Sequence, residues 1–186
     1  MRDTRTEILE IGEMLIRTKG YHSFSYADIA KTLSIKNAAI HYHFPGKSDL
    51  GTTILQSLIN NVELLKETCK EYSATDKLLR FIEIYDNSKM LDRVCIMGAL
   101  SPCIDTLPEQ MQLKLKEIAE LLLKWLNDIL QEGKKNQEFH FNENSIDKAN
   151  LIVSSLLASL LLNKVLNNGV FESIKQSIFE SVQISK

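Results

Sequence analysis

The chain has 186 residues, 44% of them apolar and 25% charged, with a formal net charge of −2. That much apolar sequence supports one good core, or a small domain joined to a larger one, and excludes a disordered chain. The near-neutral total gives a polyanion nothing to recognise, so the placement of the charges matters: residues 1–51 carry +1 and the remainder −3.

Three prolines and seven glycines interrupt the chain, and apolar residues recur three and four positions apart almost throughout. This predicts an all-α fold. Ile8, Ile11 and Leu15 share one face of a helix over Thr4 to Lys19, stopped by Gly20. Ser25 with Asp28 is a capping-box pattern, so a second helix is expected from Tyr26 to about Leu33, burying Ile29, Ala30 and Leu33. Ser34-Ile35 makes a tight turn, and a short helix follows from Lys36 to about His43. Pro45-Gly46 ends it before Ser48 caps a long helix reaching roughly to Tyr72. Further helices are expected from Asp76 to Lys89, Pro108 to Asn136, Ser145 to Asn168 and Val170 to Val182, with a broken segment from Arg93 to Leu107. No linker composition separates two domains, so the boundary falls within the Ser48 to Tyr72 helix, dividing the chain into residues 1–50 and 51–186.

Met1-Arg2-Asp3-Thr4-Arg5 is not a basic segment followed by an apolar one, so no leader is expected and the location is read as cytoplasmic. The most apolar run, LIVSSLLASLLL from Leu151 to Leu162, falls short of the roughly 20 residues of a membrane span. A buried helix and no membrane partner are expected. Cys69, Cys95 and Cys103 are odd in number and lack C-x-x-C spacing, which predicts reduced, packed thiols. Helical spacing would hold Cys95 and Cys103 about 12 Å apart, too far for a disulfide unless Pro102 folds the chain back.

The stretch His41-Tyr42-His43 poses the functional question. On a helix His41 and His43 diverge by about 200°, so they cannot chelate one ion. No H-E-x-x-H pair exists, and His22 and His140 have no cysteine or carboxylate at ligand spacing, so neither metal nor cofactor is expected. No G-x-S-x-G, S-x-x-K or P-loop pattern marks a catalytic residue, and the chain is read as a non-enzyme. What remains is two short helices at a tight turn. Ile29, Ala30, Leu33, Ile35, Ile40 and Phe44 form the packed set, leaving Lys36, Asn37, Ala38, Ala39, His41, Tyr42 and His43 to face outward. Ala38 and Ala39 would let the helix approach base edges, Asn37 can bond adenine bidentately, and Tyr42 and His43 can reach phosphates. Lys47, with the positive end of the helix that follows, would face phosphate as well. The alternatives are a helical enzyme or metal-dependent hydrolase using His41 and His43, and a helical adaptor that does not bind DNA.

The segment FSYADIAKTLSIKNAAIHYHFPGKSDL resembles the N-terminal helix-turn-helix of TetR-family transcriptional regulators. The likeness covers about residues 4–55 and includes Gly20, Phe24, Ile29-Ala30, Ile35, Phe44 and Lys47. It implies a three-helix DNA-binding domain followed by a helical bundle for ligand binding and dimerisation, and a homodimeric repressor released by a small molecule. It also implies Ser25, Tyr26 and Ala27 among the DNA contacts. His41 stands where the family most often has tyrosine, and Ser34 replaces the usual turn glycine. The IHYHF ending is similar to a subgroup whose second domain carries a cysteine, a glycine and TLP before a long helix, as Cys95, Gly98 and Thr106-Leu107-Pro108 do here.

The expected partners are a palindromic double-stranded operator, a second copy of the chain docked through residues 145–182, and an unidentified effector. Ser155 and Ser159 are expected to allow close approach at the dimer interface. Phe81, Tyr85, Met90, Met97 and Trp125 are the candidate pocket lining, although aromatic and methionine residues at helical spacing are also ordinary core.

Overall fold

The structure, a computed structural model, describes residues 3–182. It is all-helical, with an N-terminal helix cluster and a C-terminal helical bundle. The helices are α1 (Thr4–Lys19), α2 (Tyr26–Leu33), α3 (Asn37–His43), α4 (Lys47–Thr68), α5 (Ala74–Met90), α6 (Ile96–Leu100), α7 (Glu109–Lys135), α8 (Ser145–Leu166) and α9 (Val170–Val182). Short 3-10 turns occupy Tyr21–Ser23 and Ser101–Thr106. The starts of α4 and α8 are not serine caps. Helix α4 begins at Lys47, so Ser48 lies inside its first turn, and the Asp49 carboxylate reaches back to accept the Gly46 N–H at 2.8 Å. A carboxylate is the stronger acceptor at the positive end of a helix. Helix α8 has Asn144 at its cap position, and Ser145 is its first, buried residue.

The chain forms two compact units. The first joins the residues up to Asn61 with Ile96–Ile118, and the second joins Val62–Cys95 with the residues from Ala119 onward. The changes of unit therefore fall inside α4, at the start of α6 and inside α7. In the first unit α1 packs on α2, α3 and α6, and buries Ile8, Leu15 and Ile16. Gly51 allows a close approach there: a Cβ on it would lie 2.5 Å from Met111 Sδ and 3.3 Å from the Tyr21 ring.

In the second unit α8 packs on α9 and α5, around Phe81, Leu126, Leu130, Leu156 and Phe171. Gly133 is covered by the Phe139 ring, which would stand 2.0 Å from an added Cβ. One residue before that ring, Glu138 accepts the N–H groups of Ala74 at 3.1 Å and Thr75 at 2.9 Å and the Thr75 hydroxyl at 3.0 Å, fastening the start of α5. Lys77 reaches both carboxylate oxygens of Glu132 at 2.8 Å.

Helix α8 departs from the expectation of a buried helix. By length and composition it could cross a membrane, and only 33% of its apolar window is buried in the chain. One side meets α5 and α9, while Leu151, Ser154, Ala158, Leu161, Leu162 and Val165 stay exposed on the other. Ser159 is on the inner side, its hydroxyl donating to Leu156 O at 2.7 Å, so it does not belong to the open face.

Candidate nucleic-acid interface

Three local devices build the α2–turn–α3 hairpin. The Asp28 carboxylate accepts the Ser25 N–H at 2.7 Å and the Ser25 hydroxyl at 2.8 Å, which starts α2 and holds the Asp28 carboxyl below its ordinary value. Ser34 ends α2 in the left-handed region, with φ 56° and ψ 37°, and the Ile35 N–H returns to Ala30 O at 3.0 Å. Lys36 then turns the chain into α3 from an extended conformation.

Burial fixes which way α3 faces. Ile40 and Phe44 are buried, each stabilising the seat of the helix by roughly 1.5–3 kcal/mol. The guanidinium of Arg5 lies 5.1 Å from the Phe44 ring centroid and covers it from α1. The opposite side is open: Lys36, Asn37, Ala38, His41 and Tyr42 are exposed, Tyr42 to 84%, while Ala39 and His43 are half-exposed. Tyr42 leans edge-on against His43 at 5.1 Å. His41 packs edge-on against Tyr26 at 4.8 Å, and its Nδ1 lies 3.3 Å from Pro45 O. Among the described residues no group of three His, Cys, Asp or Glu side chains could hold a metal ion.

Ser25 and Ala27 are exposed at the start of α2, but Tyr26 between them is buried. Its hydroxyl donates to Phe44 O at 3.0 Å, and burial first, then Asp49 and Tyr21, push its phenol up to about 12. Tyr26 therefore braces α3 from below and leaves the exposed surface to its neighbours. Lys47 also departs from its expected orientation. Its ammonium donates to the Phe24 carbonyl and lies over the Phe24 ring at 4.0 Å and the Tyr21 ring at 4.8 Å. Burial pulls its pKa below the ordinary lysine value. The two rings and the carbonyl replace the water that an outward-facing ammonium would keep.

Two participants escaped sequence reasoning. Arg5 reaches Phe44 from a helix 39 positions earlier in the numbering, and His22 Nε2 meets Thr106 Oγ1 at 2.9 Å. The Thr106 hydroxyl donates to Cys103 O at 2.8 Å, so its oxygen accepts the proton carried by His22 Nε2. Neither contact has a spacing signature in the sequence.

The expected pocket residues divide. In the second unit the Phe81 ring lies 5.4 Å from Trp125 and 6.0 Å from Tyr85, and all three are buried. Met90 is 80% exposed, because it is the last residue of α5 and points away from that cluster's face, so it lines nothing with them. Met97 is buried in α6 of the first unit.

Residues 8–51 match the family model of the bacterial regulatory proteins, tetR family. Over those residues the N-terminal helices are similar to the helix-turn-helix domain of TetR-family regulators. The HTH-type transcriptional repressor NemR of Escherichia coli K12 is 21% identical, over 95% of this chain and 90% of its own. A TetR transcriptional regulator from Legionella pneumophila superposes with a TM-score of 0.87 at 29% identity, covering 98% of each chain. A TetR-family transcriptional regulator from Agrobacterium tumefaciens gives 0.84 at 25% identity, covering 98% of this chain and 97% of that one.

Proposed function

We propose that this chain is a sequence-specific DNA-binding transcriptional repressor acting in the cytoplasm, with no catalytic activity of its own. The observation that supports it most is the exposed face of α3, where Asn37, Ala38, His41 and Tyr42 stand clear of a helix seated on Ile40 and Phe44. Such a face is polar, narrow enough at its alanines for the major groove, and held rigid from behind. Residues 1–50 then form the DNA-binding domain, and residues 51–186 bind an effector and dimerise.

The open stripe of α8 supports a homodimer through residues 145–182, with Leu151, Ala158, Leu161 and Val165 meeting their equivalents across a two-fold axis. A dimer reads a palindrome whose half-sites lie about one turn, roughly 34–36 Å, apart. Effector binding to a conformer with poorly spaced recognition helices would shift the population and release the operator.

The test is selection of duplexes from a random pool, followed by affinity measurements across a salt series. Enrichment of a palindrome, with affinity falling steeply as salt rises, is expected. A pool that stays random, with no salt-dependent affinity for any duplex, would overturn the reading in favour of a helical adaptor.

A further inference from the structure

His41 is held by two contacts that fix the state of its ring. It packs edge-on against Tyr26 at 4.8 Å, and its Nδ1 lies 3.3 Å from the Pro45 carbonyl oxygen. A carbonyl oxygen can only accept, so Nδ1 is the nitrogen that carries the proton, and in the neutral ring Nε2 is then a bare acceptor. Among the described residues Nε2 has no protein partner, and the side chain is exposed. The charged and titratable groups on the neighbouring elements are engaged elsewhere. On α1, Arg5 lies over the Phe44 ring; on α2, the Tyr26 hydroxyl donates to Phe44 O and the Asp28 carboxylate holds Ser25. On α4, Lys47 meets the Phe24 carbonyl and Asp49 the Gly46 N–H.

Position decides what that nitrogen can meet. His41 follows Asn37 by one helical turn, which puts the two on one face of α3, about 6 Å apart along its axis. Both are exposed, while Ile40 beside them is buried. A separation of about 6 Å is close to two base-pair steps of about 3.4 Å, so the two side chains can address different base pairs from one helix. In the major groove cytosine and adenine present an exocyclic amino donor, whereas guanine presents only the acceptors N7 and O6, and thymine the acceptor O4. A single acceptor nitrogen bonds the first two and sets lone pair against lone pair with the others.

We propose that neutral His41 is a specificity-determining residue: its Nε2 accepts a hydrogen bond from the amino group of a cytosine or adenine in each half-site, and a proton taken up from water makes the same nitrogen a donor that prefers guanine or thymine. This rests on the DNA-binding reading of α3 above. Histidine is the side chain that ordinarily changes charge between about pH 5 and 8, so one titration spans both states. Any other histidine that gains charge, His43 included, raises the affinity for every duplex alike. The ratio between two duplexes that differ at one base pair cancels that effect.

Two measurements test it. Nitrogen-15 spectra of the histidine-labelled full chain, with the His41 signals assigned from their loss in His41→Gln, are expected to show Nδ1 protonated and Nε2 bare at about pH 8. Duplexes are then selected from a random pool, and the selected site, with all four base pairs placed in turn at each position, is assayed by competition at about pH 8 and about pH 5.5. At one base pair per half-site cytosine or adenine is expected to be favoured about fivefold over guanine at the higher pH, and guanine to bind at least as well at the lower. His41→Gln carries an amide that both donates and accepts and does not titrate, so its ratio is expected to be the same at both pH values. His43→Gln is expected to keep the parent's reversal.

A histidine with a merely structural role would change melting temperature and affinity for all duplexes together, leaving this ratio alone. A proton on Nε2 in the free protein at the higher pH, a ratio that does not move with pH, a reversal that survives His41→Gln, or one that is lost in His43→Gln would each overturn the proposal. If a palindrome is selected and the ratio stays fixed, this inference fails alone; if no duplex is enriched at either pH, the repressor reading fails and takes this one with it.

Discussion

The Tyr26 hydroxyl donates to the Phe44 carbonyl at 3.0 Å, tying the first residue of α2 to the residue that ends α3. Eighteen positions apart in the chain, the two close the hairpin that carries the exposed face. Tyr26→Phe leaves the carbonyl without this donor, and a stability loss of about 1–3 kcal/mol is expected in chemical denaturation. The raised phenol value also sets a pH window. Its folded value near 12 lies above the ordinary one of about 10, so the neutral phenol is favoured in the fold. The contribution is fully present below about pH 10 and is lost as pH rises towards 12. Parent and variant should therefore converge in stability across that alkaline range, and curves that stay parallel would refute the assignment.

Lys47 sits between two aromatic rings with its ammonium on the Phe24 carbonyl, which makes it a brace between α4 and the segment before α2. A lysine contacting phosphate would lower the salt slope of duplex binding by about one per subunit when replaced, with little effect on folding. For Lys47→Ala the expectation is the reverse: a melting loss corresponding to about 1–2 kcal/mol, and a slope reduced by clearly less than one. Thermal melts and a salt series on the same preparations separate the two roles.

Glu138 closes the start of α5 through three hydrogen bonds. Burial alone would raise its carboxyl, but the bonds from Thr75 and Ala74 outweigh it and hold the group below its ordinary value. A depressed carboxylate stabilises the fold fully above its unfolded value, about 4.3, and loses that contribution as pH falls through the folded one. Glu138→Gln should cost about 0.5–2 kcal/mol near neutrality. The difference from the parent should shrink below pH 4, as followed by melting temperature against pH, and a difference independent of pH would show that the charge is irrelevant.

The open side of α8 gives a test of assembly. Leu162→Glu combined with Val165→Glu places two carboxylates on the exposed stripe and should yield monomers in sedimentation, while the helical signal is kept. Ser159→Ala, on the inner side, should leave the dimer intact. A double variant that sediments as the parent does would move the interface elsewhere.

What the sequence made legible was local. Gly20, the Ser25 and Asp28 pair, Pro45-Gly46 and the 3.6-residue periods mark helix ends and faces because each acts within a few residues of itself. Tyr26, Lys47 and Arg5 could not be oriented that way. Their directions depend on Phe44, Phe24 and Tyr21, partners brought near only by the turn and by α1. Helix α8 was illegible for another reason: it is apolar on nearly every side, so periodicity could not distinguish Ser159, which faces in, from Ser154, which faces out. The aromatic cluster was legible in part: Phe81 and Tyr85 share a helical face, and Met90, nine positions on from Phe81, falls about 180° from it.

Asn37 separates reading from positioning. It opens α3, it is exposed, and its amide offers one donor and one acceptor in the geometry that adenine N6 and N7 require. Unlike Lys47 it projects from the exposed side of its helix, so Asn37→Ala should keep the stability within about 0.5 kcal/mol of the parent's. On the selected palindrome the variant should lose about 1–3 kcal/mol of preference at one base pair in each half-site, with the salt slope unchanged because no phosphate contact is removed. Competition between the palindrome and duplexes changed at single positions would map that base pair. Were the preference to survive at every position, α3 would lie in the groove with another residue at its reading end, and Tyr42, the most exposed side chain of the helix, would be the next to replace.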